Sequence, residues 1–119
     1  MSSSGQDATV RGDVSVLVDD QGLRNALLVV YLEDVTLVDA ASAVVARYER
    51  QGVSAEAGAQ LILPFEISFE PTSARLGLRA LLDVDGDGRT SRGDYASVQS
   101  YPVNGLAPAG SIRMSLQRI

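Results

Sequence analysis

Residues Asp83 to Asp94 read Asp-Val-Asp-Gly-Asp-Gly-Arg-Thr-Ser-Arg-Gly-Asp, which puts carboxylates at the first, third, fifth and twelfth positions of a loop with glycine at the sixth. That is the spacing with which an EF-hand loop surrounds Ca²⁺. Calcium is a hard cation that takes oxygen ligands at about 2.3–2.6 Å, and alternate residues of a tight loop can turn their oxygens inward while the backbone wraps the ion. The expected ligands are Asp83, Asp85, Asp87, the carbonyl oxygen of Arg89, Ser91 directly or through a water, and Asp94. Gly88 permits the positive φ of the sharp turn after Asp87. Asp94 stands where the pattern usually has glutamate, so closure of the ring depends on how near the chain returns. Without metal, four carboxylates in one loop repel each other, and a bound cation turns that repulsion into binding energy. The competing reading is a solvated acidic turn, but five positions match the calcium pattern in register. With one short ligand and with Arg89 and Arg92 reducing the local charge, the expected affinity lies at about 10⁻⁶ to 10⁻³ M.

Most other chemistry is excluded by composition. The 119 residues include no cysteine and no histidine, and every basic side chain is arginine. Thiolate sites, disulfides, imidazole bases and lysine Schiff bases are therefore absent. A net charge of −5 opposes a nucleic-acid surface, which needs clustered basic residues. No apolar run approaches the roughly 20 residues of a membrane-spanning helix. The carboxylate pairs Glu66/Glu70 and Glu33/Asp34 could be imagined as a glycosidase couple, yet Glu66 and Glu70 fall on the polar face of an alternating segment and the chain has no tryptophan platform. Arg75 and Arg79 read as solvated neighbours on one strand, Gly105 to Gly110 as a loop, and Arg11-Gly12-Asp13 as part of a strand rather than an adhesion motif. An enzyme is not expected.

The elements that would hold the loop are strands. Val10, Val14, Val16 and Val18 alternate with polar residues, with Gly12 in the apolar row as a bulge or a close approach. Ala26 to Leu32 is continuously apolar, as in a central strand. Val44 to Glu49 is a third candidate. Leu61, Leu63, Phe65, Ile67 and Phe69 give the clearest alternation, and Pro64 within it favours a sheet edge. Leu76 to Leu82, Tyr95 to Tyr101 and Ser111 to Gln117 complete seven predicted strands. Two packed antiparallel sheets follow: an all-β, seven-stranded sandwich of immunoglobulin or transthyretin type over residues 9–119, after a disordered tail over residues 1–8. Since strands flank it on both sides, the calcium loop should cap a β-hairpin and staple the fold rather than open a pair of helices.

Four short segments stand out: Val10-Arg-Gly-Asp-Val14, Leu32-Glu-Asp-Val-Thr-Leu-Val-Asp-Ala-Ala41, Leu63-Pro-Phe-Glu-Ile-Ser-Phe69 and Tyr101-Pro-Val103. In these the chain resembles the YbaY/YscW family of small bacterial lipoproteins, which includes pilotin-like proteins of type III secretion. The resemblance implies a β-sandwich of the periplasm or outer membrane whose partner is an outer-membrane or secretion protein. This chain departs from the family in having no cysteine to lipidate and no signal segment, which leaves the cytoplasm as the alternative compartment. Its acidic loop looks like an insertion. A second functional reading is a carbohydrate- or peptide-binding module in which Ca²⁺ touches the ligand, with Tyr95 or Tyr101 as the exposed aromatic beside it.

Overall fold

In the computed structural model, which describes residues 7–36, 43–85, 93–97, 99–108 and 110–119, the alternating segments form eight strands and no helix. These are β1 (Ala8–Leu17), β2 (Leu23–Asp34), β3 (Ala43–Ala55), β4 (Gln60–Phe69), β5 (Arg75–Asp83), β6 (Tyr95–Ser97), β7 (Tyr101–Asn104) and β8 (Ser111–Arg118). They join one sheet in the order β3-β2-β5-β6-β8-β1-β4, with β7 also on β5. The sheet curls so that its inner rows meet around one core, which includes Val14, Val30, Leu32, Phe65, Leu78, Leu82 and Met114. This corrects the expected two-sheet sandwich: the molecule is a nearly closed barrel. A sandwich and a barrel both bury alternate residues, so periodicity alone does not separate them.

The pairing is also not wholly antiparallel, because β1 and β8 run side by side in the same direction, Gly12 opposite Ile112 and Val14 opposite Met114. The first and last strands in sequence thus lie side by side within the sheet. Gly12 is what lets them approach, since a Cβ there would collide with the Ile112 carbonyl oxygen. The glycine in an apolar row marks a close approach of two backbones, one of the two readings its position allows.

The count of seven becomes eight because the predicted strand from Tyr95 to Tyr101 is broken. Leu82 pairs with Tyr95 and Leu81 with Ala96, a register that would put residue 99 opposite Leu78. Tyr101 stands there instead, so two extra residues are inserted between β6 and β7. Ser97 Oγ accepts a hydrogen bond from Ala80 N at 3.0 Å, filling the place of a ladder carbonyl at the break. β2 is central, between β3 and β5, and β4 is terminal as Pro64 requires. β1 begins at Ala8, inside the predicted tail, whose residues 1–6 lie outside the described ones.

Polar groups that enter the sheet are compensated. Glu33, buried on β2, accepts from Arg79 Nε and Nη2 on β5 at 2.9–3.2 Å. The same guanidinium lies 4.2 Å from the centre of the Tyr31 ring, so Arg79, exposed as expected, is also a cross-strand tie. Glu66 is bridged to Arg11 at 3.2 Å, on the exposed face. Gly12→Val is expected to lower stability by about 1–3 kcal/mol through separation of β1 from β8, read as a lower Tm by calorimetry; an unchanged Tm would show that the two backbones are not in contact.

Candidate metal centre and partner groove

Asp83 ends β5 and Asp94 directly precedes β6. The register that pairs Leu82 with Tyr95 makes these two aspartates the next opposed pair, at the mouth of an antiparallel hairpin. The loop does cap a hairpin, as its flanking alternation predicts. Like charges directly opposite each other destabilise a ladder, and here both are 1% exposed. Asp85, exposed, brings a third carboxylate, and one oxygen from each of the three lies within 4.8 Å of the others.

That spacing matches one hard cation. Two oxygens on opposite sides of a calcium ion, each at 2.3–2.6 Å, stand about 4.6–5.2 Å apart. The donor set is all oxygen, which suits calcium and not a metal that prefers nitrogen or sulfur. Of the expected ligands, Asp83, Asp85 and Asp94 are therefore brought together, whereas Asp87, Arg89 and Ser91 lie outside the described residues, as does Gly88.

The two ends of the loop are anchored by the backbone. Asp94 Oδ1 accepts from Val84 N at 2.9 Å, tying the last carboxylate to the start of the loop. Gly93 N donates to the Ile119 carbonyl oxygen at 3.1 Å, and Ile119 N donates to that of Asp94 at 2.8 Å. The end of β8 thus clamps the loop's exit. Beside it, Tyr95 is buried and its hydroxyl accepts from Asp19 N at 2.9 Å, while the Asp19 carboxylate meets Arg118 Nε at 3.1 Å. Asp19, Asp85, Asp94, Tyr95 and Arg118 share the walls of a small cavity of about 210 Å³. Neither Asp19 nor Arg118 was legible as part of this site, because both reach it only through tertiary contact.

This environment corrects the role imagined for the tyrosines. Tyr95 is 2% exposed and committed to Asp19, so it cannot offer a face to a sugar at the metal. The Tyr101 hydroxyl accepts from Ser115 N at 3.1 Å and its strand joins the other end of β5.

A second feature was not legible at all. Where the barrel stays open, β3 and β4 face each other across a groove of about 460 Å³, lined by Tyr48, Pro64, Phe65, Glu66 and Gly12 among others. β3 is the more exposed wall: Val53 alone of its thirteen residues is buried. No helix among the described residues is long and apolar enough to cross a membrane.

No protein-family model matches the sequence, and no curated protein matches it. A solved structure from Vibrio cholerae, an alternative pilotin from the type II secretion system, has the same fold, with a TM-score of 0.63 over 96% of this chain and 98% of that one at 24% identity. The coverage shows that the whole barrel is shared and not one hairpin of it.

Removing the Asp94 side chain should cost about 1–3 kcal/mol even in chelator, because Val84 N then loses its buried acceptor. Asp85→Ala, at an exposed position, should leave the chelated protein's melting temperature within about 2 °C. Equal losses for the two variants in chelator would contradict the different roles assigned to them.

Proposed function

We propose that this chain is a non-enzymatic, calcium-stapled β-barrel that binds a protein of the bacterial secretion machinery, in the manner of a pilotin. The single observation that carries the reading is the end-to-end structural likeness to the type II secretion pilotin. The open groove supports it, since a barrel whose terminal strands part over apolar and aromatic side chains offers a seat to a segment of another protein. An outer-membrane secretin is the partner this reading favours, and the envelope is the compartment. Membership of the YbaY/YscW family is part of the same proposal, resting on the segments Val10–Val14 and Leu63–Phe69 within β1 and β4.

Calcium enters as a staple. Three carboxylates with one oxygen each within 4.8 Å of the others repel when all are charged, and a divalent cation replaces that repulsion by attraction. Asp83, Asp85, Asp87, Asp94, Ser91 and the Arg89 carbonyl would hold the ion, and its contribution would be to fix β5 against β6 at the hairpin mouth. The ligand-contacting module is less favoured, because Tyr95 faces inward.

Two experiments test the parts separately. Calcium at about a hundred times its Kd should add roughly 2.7 kcal/mol and raise Tm by about 10 °C over the chelated protein. Asp83→Ala and Asp87→Ala should abolish the rise, and equal melting curves with and without calcium would sink the staple. For the partner, co-purification with the secretin of the same organism is expected, and Tyr48→Arg should weaken it roughly tenfold while the strand content by circular dichroism is kept, with Tm somewhat lowered because Tyr48 packs against the core. Binding indifferent to Tyr48, or no binding at all, would count against the groove.

A further inference from the structure

The free edge of β3 carries a charge pattern complementary to itself. β3 pairs only with β2 among the described residues, and as the end of the sheet order it presents a row of backbone donors and acceptors away from β2. The opposite terminal strand is blunted by Pro64, which has no N–H. β3 contains no proline. Its regular stretch runs from Ala46, opposite Leu32, to Arg50, opposite Leu28; beyond both ends the register slips, near Val45 and near Gly52, whose φ is +71°. Any strand added to this edge therefore has about five residues of regular ladder to use, Ala46 to Arg50.

From this we infer that β3 pairs antiparallel with β3 of a second copy of the chain, on a two-fold axis at Tyr48. The argument is one of register. A two-fold axis perpendicular to an antiparallel pair forces one residue to face its own copy. Centring on Arg47, Glu49 or Arg50 sets a charge against itself. Centring on Tyr48 sets Arg47 opposite Glu49 of the partner, and Glu49 opposite Arg47 of the partner. It also sets the two Tyr48 rings together on the other face, where aromatic pairs stabilise sheets. Arg47 and Glu49 already share a face of the strand, 3.3 Å apart and largely exposed, so the pair is presented at the edge before any partner arrives. Exposed Val44 and Val45 extend the contact past the regular stretch. A five-residue ladder gives a weak, reversible dimer, and because Tyr48 also lines the groove, a secretion protein seated there would compete with it.

Sedimentation equilibrium of the full chain at low salt and submillimolar concentration tests it. The native chain should self-associate as a dimer, and Arg47→Glu or Glu49→Arg alone should weaken the association at least roughly tenfold by facing like charges across the axis. Neither exposed substitution should alter the melting temperature, which serves as the folding control. The double variant Arg47→Glu/Glu49→Arg should dimerise again, and a one-to-one mixture of the two single variants should form a heterodimer, because opposite charges then face each other at both positions. A strictly monomeric native chain, or a dimer insensitive to both single substitutions, would overturn the inference.

Discussion

Two aspartates opposed at the mouth of one hairpin are the constraint on which the rest of the molecule turns. Asp83 and Asp94 continue the ladder of Leu82 and Tyr95, and the fold takes both carboxylates out of solvent at that point. A sheet does not ordinarily tolerate like charges facing each other in its interior. The surrounding backbone holds them there: Val84 N on Asp94, and the two bonds that pass between residues 93–94 and Ile119. Because Ile119, which makes those last bonds, directly follows β8, and β8 runs parallel to β1, the acidic mouth is connected to the seam that joins the first and last strands. An ion at the mouth would thus act on β5, β6 and β8 together.

The opposite side of the barrel is built on a different balance. There β3 and β4 do not pair, and Tyr48 and Pro64 border an opening rather than a seam. A closed barrel has no edges, and this one keeps two. One is protected by Pro64, and the other carries Arg47, Glu49 and Arg50 between two irregularities of register. The two sides thus differ: backbone bonds tie the mouth where β5, β6 and the end of β8 meet, while β3 and β4 stay unpaired with each other among the described residues.

How much of this was legible depends on what each residue encodes. Alternation from Leu61 to Phe69 located β4, and Pro64 placed it at an edge, because both effects are local to the strand. Gly12 announced a close approach without naming the neighbour, since Ile112 is a hundred residues away in sequence. The seam between β1 and β8, and hence the barrel, could not be read, because alternation reports one buried face and not which strands share it. Tyr95 to Tyr101 read as one strand because an insertion of two residues leaves its composition unchanged. In the acidic loop the spacing identified Asp83, Asp85 and Asp94, which the fold gathers, while Asp19 and Arg118 came into view only through tertiary contact. Arg79 is exposed, as expected, but its tie to Glu33 was not legible, because that partner lies on another strand.

The account rests on the acidic mouth being a cation site, and a crystal structure grown in millimolar calcium addresses it most directly. The account predicts a single peak of anomalous density between Asp83, Asp85 and Asp94, with oxygens from those residues and from Asp87 at about 2.3–2.6 Å. Well-ordered aspartates around a centre holding only water, or paired to arginines in its place, would contradict it.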